Sequence, residues 1–328
     1  MIRTLKAVLA ATSLFTSILL PTAGLLNAGA FATLNELTAG IESPALPQPV
    51  QVPAADFVSV GHPLKVYFLN VGQGDAAYME LPNGSNVLID AGPSKAKTGY
   101  LASFLAEHNV TKIDNVVLTH PHADHYTGLQ YVFPNISVTN FFDTQADNTS
   151  TTVDEAIRAK AQALGLNIIH PAAGDTLAWD PGEVQVKVLN ACSAPVASGS
   201  GQFLNDCSIV LKVTYQNTSM LFTGDMQMDV EAELVKEYGP NLRSDVLKVG
   251  HHGSQYSSSD AFLAAVHPRD AYISVGLNNY GHPALSCLTR LQNSGAIVHR
   301  TDLDGPLEYM IGEAAPASAV NNVASLKY

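Results

Sequence analysis

Basic side chains are scarce in this sequence. It has 17 Lys and Arg residues against 29 Asp and Glu residues, which gives a formal net charge of −12 at pH 7. This charge repels a long phosphate backbone at long range, so an extended nucleic-acid groove is not expected. A small anionic substrate held by metal ions remains compatible with it. Charged residues of both signs make up only 14% of the chain and hydrophobic residues 46%, which excludes a disordered protein and indicates a substantial core.

The first 32 residues have the composition of a signal peptide for export. Arg3 and Lys6 precede a mostly apolar stretch, residues 7–20, and small residues between 28 and 32 offer cleavage sites. An uncleaved membrane anchor is the alternative, although several Ser and Thr residues and Pro21 make a poor membrane helix. Cleavage would leave 15 basic and 29 acidic residues, a net charge of −14. We therefore expect a secreted protein, outside the cell or in the periplasm or cell wall, without stable membrane insertion.

Cysteine is also rare, with three residues in the chain. Cys192 and Cys207 bracket a loop rich in Ser, Gly and Ala, and they would form a disulfide in an oxidising compartment. Two separate buried thiols are the alternative.

The remaining sequence predicts a single α/β domain over residues 63–312. Residues 33–62 are rich in Pro and Ala and predict a linker, and residues 313–328 predict a flexible tail. Strand patterns cluster early in the domain and then alternate with helices, without an internal repeat, which is typical of one α/β domain with mixed sheets. The loop at residues 191–204 is expected to be its least ordered part.

Four potential metal ligands lie within six residues, in the spacing His-x-His-x-Asp-His: His120, His122, Asp124 and His125. The apolar run at 113–118 predicts a buried strand before them, and residues 126–128 predict the start of a helix after them. A strand, a loop and a helix in this order present the loop side chains at one edge of a sheet. One such histidine alone is usually an ordinary core or surface residue, but four ligands in this order indicate a metal site.

Two later apolar strands end in a glycine followed by a ligand-type residue. Asp225 follows residues 221–224, and His251 follows residues 247–250. The repeated pattern predicts that both side chains lie at a sheet edge near bound metal, although for Asp225 alone a turn-forming Gly-Asp is the simpler interpretation.

Together these stretches resemble the metallo-β-lactamase superfamily. Within it, the sequence is most similar to the lactamase-like domain of ComEC-type DNA-uptake proteins and to secreted relatives that include phosphorylcholine esterases. The similarity spans residues 64–311, and the stretches that carry it are FLNVGQGDA (68–76), VLIDAG (87–92), THPHADHYTGL (119–129), NDCSIVL (205–211), LFTGD (221–225), LKVGHHGSQYSSS (247–259) and NNYGHP (278–283). The resemblance implies a four-layer αββα sandwich with two metal ions in a cleft at the sheet edges.

The resemblance also implies a set of ligands. They are His120 and His122 for the first metal, Asp124, His125 and His251 for the second metal, and Asp225 bridging both. Imidazole and carboxylate ligands suit Zn²⁺, with Mn²⁺ or Fe²⁺ as alternatives. Asp90 would orient one of the ligands. Many members of the superfamily supply a third histidine to the first metal, whereas this sequence offers Asn205-Asp206 in that region, and Asp206 is the candidate oxygen ligand.

The implied reaction is hydrolysis by a hydroxide that bridges the two metals, because two cations lower the pKa of bound water. Asp124 and His282 are the predicted catalytic residues. His282 would be a leaving-group acid or a substrate contact, and a loop histidine without a role is the alternative. His252, Ser254 and Ser258 would bind phosphate oxygens. Helix N-capping is the alternative for the serines at 257–259, and we expect it for at least one of them.

The leading functional hypothesis is a secreted metal-dependent hydrolase of phosphoester bonds, either a phosphodiesterase or a phosphorylcholine esterase-like enzyme. Small substrates fit the acidic composition better than DNA, although a nuclease remains open because the most similar motifs belong to a DNA-uptake family. The same scaffold also serves lactam, lactone and thioester hydrolases, in which the third histidine is usually retained. A degenerate extracellular binding module is the non-enzymatic alternative, and the six retained ligands argue against it.

Overall fold

The structure, a computed structural model, describes residues 62–93, 99–192 and 194–312. The predicted signal peptide, the linker up to residue 61 and the tail therefore lie outside the described residues. All described residues belong to one unit of the chain, Asp56–Tyr328. Within them, no helix is both long enough and apolar enough to cross a membrane.

Two mixed sheets of seven strands each stand at the centre of the fold. In chain order, the first sheet contains β1 (Leu64–Phe68), β2 (Ala77–Glu80), β3 (Asn86–Ile89), β4 (Lys112–Leu118), β5 (Ser137–Asp143), β7 (Asn167–Ile169) and β16 (Leu307–Ile311). The second contains β8 (Thr176–Asp180), β9 (Val184–Asn190), β11 (Val210–Tyr215), β12 (Thr218–Phe222), β13 (Val246–Lys248), β14 (Asp270–Ile273) and β15 (Ile297–Arg300). The strand orders are β16-β1-β2-β3-β4-β5-β7 and β15-β14-β13-β12-β11-β9-β8. Two short strands, β6 (Ala146–Asn148) and β10 (Val196–Ser198), form a small parallel sheet.

The helices lie outside the two sheets and between the strands in sequence. They are α1 (Tyr100–Glu107), α2 (Ala123–Tyr126), α3 (Leu129–Asn135), α4 (Val153–Ala163), α5 (Gly201–Asp206), α6 (Met228–Tyr238), α7 (Asp260–Val266), α8 (Leu285–Asn293) and α9 (Thr301–Asp304). Two short 3-10 helices span Gly239–Leu242 and Gly250–Gly253.

Three apolar layers hold these elements together. The inner faces of the sheets pack on each other, for example where the rings of Phe68 and Tyr272 stack with centroids 4.2 Å apart. Buried residues of α1, α3 and α4 cover the outer face of the first sheet. Residues of α6, α7 and α8 cover the outer face of the second. Because each sheet thus buries both faces, the architecture is the four-layer αββα sandwich that the sequence predicted.

Parallel pairing directs the predicted ligand loops to one region. Strands β3 and β4 pair in parallel in the first sheet, and β12, β13 and β14 do so in the second. The carboxyl ends of parallel strands meet at the same edge of a sheet, and ligand sites in α/β proteins gather there. Asp90 follows β3, the His120–His125 motif follows β4, and Asp225 follows β12. The two histidines at 251 and 252 follow β13.

The helix predicted to open at residues 126–128 is divided in two. Helix α2 begins inside the ligand motif at Ala123, and α3 begins at Leu129. The glycine between them, Gly128, lies against the backbone that follows β3, and a Cβ placed there would come within 1.9 Å of the carbonyl oxygen of Ala91. The close approach of the motif to the end of β3 therefore requires glycine at this position.

The segment at residues 191–204, predicted to be the least ordered part of the domain, contains regular structure among its described residues. It contains β10 and the beginning of α5, where the Ser200 hydroxyl accepts a hydrogen bond of 3.4 Å from the Phe203 amide as an N-cap. A disulfide between Cys192 and Cys207 closes the segment. Composition alone did not reveal this order, because it comes from the disulfide and from contacts with β6 rather than from an apolar period.

Candidate metal centre

Four ligand-type side chains converge where the two sheets present their strand ends. One ligand atom from each of Asp124, His125, Asp225 and His252 lies within 4.8 Å of the others, and we call this set the four-ligand cluster. Nε2 of His252 is 3.2 Å from Oδ2 of Asp124 and 3.5 Å from Oδ2 of Asp225. Nε2 of His125 is 3.3 Å from the same Asp225 oxygen. Two carboxylates and two imidazoles around one point are a donor set suited to a divalent transition metal.

The other ring nitrogen of each cluster histidine is held by a hydrogen-bond acceptor. Nδ1 of His125 is 2.7 Å from Oδ2 of Asp90, and Nδ1 of His252 is 2.8 Å from the carbonyl oxygen of Ser274. If each Nδ1 carries the proton that these acceptors require, both Nε2 atoms offer their lone pairs to the cluster. Asp90 is itself fixed by Thr119, whose amide and hydroxyl each donate to it at 2.8 Å. Asp90 thus contacts a cluster histidine, as the sequence resemblance implied for it.

Replacing Asp90 with asparagine tests this arrangement. The amide keeps the size of the carboxylate but weakens the acceptor that orients His125, so we expect metal affinity to fall by about 10- to 100-fold. The measurement is titration of the metal-free protein with Zn²⁺ against a competing chelator. Asp114→Asn, in the middle of β4 and remote from the cluster, is the matched control. Equal affinities for the Asp90 variant and the wild type would show that this contact does not orient a ligand.

The structure places the adjacent side chains of His251 and His252 differently from the sequence prediction. His252, predicted to bind phosphate oxygens, is buried and lies in the four-ligand cluster. His251, predicted to bind the second metal, has its Nε2 3.8 Å from Oδ2 of Asp225, and its side chain is 22% exposed on the cleft wall. Both residues have left-handed backbone conformations, with φ of 49° and 52°. This turn and the hydrogen bond to the Ser274 carbonyl direct the His252 side chain toward the four-ligand cluster. Neither feature could be predicted from the sequence.

The remaining motif histidines form a pair beside the cluster. Nε2 of His120 is 3.0 Å from Nδ1 of His122 and 3.8 Å from Oδ2 of Asp225. Nδ1 of His120 lies 3.1 Å from the Thr119 hydroxyl. Asp225, itself a member of the four-ligand cluster, thus also lies beside His120, as a residue shared between two metals would.

Asp206, the predicted oxygen ligand of the first metal, is not directed at this pair. The groups that act on its carboxylate are the Gln227 backbone amide, Asp229 and Glu233. Its neighbour Asn205 lines the cleft instead, and its contact with His122 partly offsets the burial that lowers the pKa of that ring. Because successive residues of α5 point in different directions, only one member of the Asn205-Asp206 pair can face His122.

The protonation states of the cluster show that it attracts positive charge. Burial raises the pKa of Asp225, but His252, His125 and His251 outweigh this effect and hold it well below its usual range. Burial lowers the pKa of His252, but Asp225 and the hydrogen bond that its ring donates to Asp124 raise it to about 9. Among the described residues, Nε2 of His125 and Oδ1 of Asp225 are buried without a hydrogen-bond partner. A divalent cation at the cluster would satisfy these atoms and replace the imidazole protons, so the residues present fit a metal ion.

A cleft of about 1010 Å³ opens above these residues. Its lining includes His251, His282 and the rings of Tyr126, Tyr256 and Tyr280, and among the residues that the structure describes it includes no Lys or Arg. Burial lowers the pKa of His282 to about 4, with a further contribution from His251, whose ring centroid is 5.2 Å away. The His282 ring is therefore neutral at pH 7.

The serines predicted to bind phosphate oxygens lie beneath the cleft, and neither Ser254 nor Ser258 contributes to its described lining. The Ser254 hydroxyl accepts a 3.2 Å hydrogen bond from the Tyr256 amide, and the amide of Ser258 donates to the Glu231 carboxylate. Ser259 is the N-cap of α7, with its hydroxyl accepting from the Phe262 amide. Capping by one serine of this run is therefore confirmed.

Comparisons with known proteins identify the family of this chain. A family profile described as "Beta-lactamase superfamily domain" matches residues 85–254. The chain is 30% identical over 262 residues to ComE operon protein 3 of Bacillus subtilis (strain 168). The aligned region covers 75% of this chain and 33% of that protein. It is 32% identical over 247 residues to Competence protein ComA of Neisseria gonorrhoeae. The aligned region covers 74% of this chain and 32% of that protein. The chain thus spans about a third of the length of these curated relatives.

Among solved structures, the metallo-β-lactamase fold protein YhfI from Bacillus subtilis matches with a TM-score of 0.48 and 12% identity, over 75% of this chain and 99% of that chain. The family profile covers more than half of the chain and contains the whole His120–His125 motif, Asp225 and His252. The chain therefore belongs to the metallo-β-lactamase superfamily, as its sequence motifs predicted.

Proposed function

We propose that this protein is a secreted dinuclear metallohydrolase that cleaves phosphoester bonds in small substrates. The observation that carries the proposal is that Asp225, within the four-ligand cluster at the floor of an open cleft, also lies beside His120. His120 and His122 would hold one divalent metal, and Asp124, His125 and His252 the other, with Asp225 shared. His252 thus takes the ligand role first predicted for His251. The metals are Zn²⁺ in the first instance, with Mn²⁺ or Fe²⁺ as alternatives.

A pair of bound cations supplies an activated water and offsets negative charge on phosphoryl oxygens. The residues of the chain fix where this happens. Asp90 and the Ser274 carbonyl orient His125 and His252. His251 and His282 line the cleft beside the cluster. Because the His282 ring is neutral at pH 7, we assign it a hydrogen bond to substrate through a ring N–H, rather than the role of the leaving-group acid that the sequence also allowed.

The cleft walls favour a particular class of substrate. Without Lys or Arg in the described lining, the charge of a phosphate group would be met only at the metals and by neutral donors. The rings of Tyr256 and Tyr280, 58% and 75% exposed, stand at the rim and offer faces to an apolar or cationic group. These features support a phosphodiester with an uncharged or cationic remainder, such as a phosphorylcholine ester.

A nuclease is the second candidate, and the same two tyrosines favour it. Exposed aromatic rings beside a cleft can stack on the bases of a single strand. The net charge of −12 opposes binding of a long strand, so this candidate requires a short or terminal substrate.

The proposed location outside the cytoplasm rests on the disulfide between Cys192 and Cys207. Disulfides persist in oxidising compartments and are rare in the reducing cytoplasm. The basic and apolar composition of residues 1–20 supports the same location.

A substrate panel with and without chelator tests the proposal. We expect hydrolysis of a chromogenic phosphodiester and of a phosphorylcholine ester, lost with chelator and restored by Zn²⁺ or Mn²⁺. Asp124→Ala should abolish it, whereas Asp302→Ala, on a surface ion pair with Arg300, should leave it unchanged. Cleavage of only a lactam, lactone or thioester would indicate an acyl hydrolase instead. Cleavage of only single-stranded DNA would indicate a nuclease. If the protein binds no metal and has none of these activities, both enzyme hypotheses are excluded and the binding module is the remaining interpretation.

A further inference from the structure

In the site proposed above, the first metal would have two histidine ligands, and a buried amide oxygen lies beside them. Asn205 is 4% exposed, lines the cleft and acts on the ring of His122. Its Oδ1 is buried, and its one polar contact within the described part of the chain is with the His122 ring, without the geometry of a full hydrogen bond. A buried amide oxygen without a partner costs free energy, so it is retained where something binds it.

Helix α5 is placed so that this oxygen can reach the histidine pair. Gly201, one turn before Asn205, packs on the same ring, where an added Cβ would lie 3.9 Å from Nε2 of His122. Residues four apart share one face of a helix, so the face of α5 that carries Gly201 and Asn205 is turned to His122. An amide oxygen is a suitable ligand for a divalent metal with oxygen affinity, such as Mn²⁺.

The orientation of α5 depends on covalent and polar ties to β9. Cys207 directly follows α5 and is joined to Cys192, just beyond the end of β9. The Asn190 amide donates to the carbonyl oxygens of Asp206 and Ser208 at 2.9 and 2.8 Å. Beyond these ties, α5 rests on a core of few residues, which includes Leu204 and Cys207. A helix with so little apolar contact has little to fix it if the disulfide is absent.

We propose that Asn205 completes the first metal site through its amide oxygen, and that the Cys192–Cys207 disulfide holds it in place. The first site then requires the oxidised cysteine pair, whereas the four-ligand cluster does not. This inference rests on the dinuclear site proposed above. It also makes the first site the weaker of the two and favours metals that accept oxygen ligands.

Metal titration of the purified holoprotein and its variants tests the proposal. Wild type should bind two Mn²⁺ ions, counted by mass spectrometry and seen as an exchange-coupled pair by electron paramagnetic resonance. Asn205→Ala should weaken one ion at least about tenfold, leave the other unchanged and abolish the coupled signal. Asn205→Asp, which keeps an oxygen at this position, should restore it.

The disulfide is tested by the double variant Cys192→Ala/Cys207→Ala, with Cys287→Ala, the buried free cysteine, as control. The double variant should lose the same ion, and Asn205→Ala should add nothing to it. If the double variant does not fold, reduction of native wild type with a phosphine should release one ion per chain. Two tightly bound ions in Asn205→Ala, or in folded protein without the disulfide, would overturn the corresponding half of the proposal. Wild type that binds no metal would instead overturn the proposed function.

Discussion

Replacing His252 with alanine is expected to remove one metal ion and to reduce kcat/KM for phosphoester hydrolysis by about 10²- to 10³-fold or more. His251→Ala, one residue earlier, is expected to keep both ions and to act mainly on KM. The contrast follows from position, because Nε2 of His252 is 3.2 Å from Asp124 and 3.5 Å from Asp225, whereas Nε2 of His251 is 3.8 Å from Asp225 alone.

The structural reason is the fixed tautomer of His252. Its Nδ1 is committed to the Ser274 carbonyl at 2.8 Å, so Nε2 alone is available to the cluster. Without this ring, His125 would be the one remaining histidine of the four-ligand cluster, and the site would hold its metal weakly. Nδ1 of His251, by contrast, has no partner among the described residues, and its ring contacts His282.

Metal content and steady-state kinetics of the two variants provide the measurement. Circular dichroism and thermal unfolding establish that each is folded, and Asp302→Ala again serves as the unaffected control. Retention of two tightly bound metals by His252→Ala, together with loss of one by His251→Ala, would return the ligand role to His251 as the sequence first predicted.

The second large effect is on stability. Lys248→Met is expected to lower the free energy of unfolding by about 3–5 kcal/mol, because it leaves the carboxylate of Asp75 buried without its partner. Nζ of Lys248 is 2.7 Å from Oδ2 of Asp75 and also donates to the Val249 carbonyl at 2.8 Å. Both side chains are buried, and Oδ1 of Asp75, the oxygen outside the ion pair, has no hydrogen-bond partner among the described residues.

This ion pair lies directly behind the metal centre. Asp75 forms a second close group with Asp90 and His125, with ligand atoms within 4.8 Å of one another. Lys248 thus offsets a carboxylate that would otherwise add to the negative charge around Asp90. The double variant Lys248→Met/Asp75→Asn should be less destabilised than the sum of the two single variants, because no uncompensated charge remains.

Chemical denaturation of the metal-free proteins measures these differences. Lys65→Met is the matched control, because its ion pair with Glu80 is longer, at 3.5 Å, and partly exposed. Its removal should cost no more than about 1 kcal/mol. Equal losses for Lys248→Met and Lys65→Met would show that the buried pair does not carry the stability assigned to it.

The sequence predicted the fold and the region of the site because both depend on local patterns. Apolar strands that end in glycine and then in a ligand-type residue identified Asp225 and the turn at 250–253. The His120–His125 motif identified the neighbouring strand end. Parallel pairing of these strands then brings the loops together, as the superfamily resemblance implied.

The choice between adjacent residues could not be made in the same way. His251 and His252 are the same residue type, and their directions differ through a left-handed turn and the hydrogen bond between His252 and the Ser274 carbonyl. Asn205 and Asp206 differ in direction because they lie on α5, and the composition of residues 191–204 gave no sign of a helix. Ser254 and Ser258 were predicted as phosphate ligands from their position in the sequence, but their bonds to Tyr256 and Glu231 keep them below the cleft.

Anomalous diffraction from crystals grown with Zn²⁺ or Mn²⁺ tests the central claim most directly. We expect two peaks about 3.5–4 Å apart on either side of Asp225. One should be bound by Asp124, His125 and His252, and the other by His120, His122 and Asn205. A single peak, a peak bound by His251 in place of His252, or the absence of peaks at these residues in metal-saturated crystals would contradict the account.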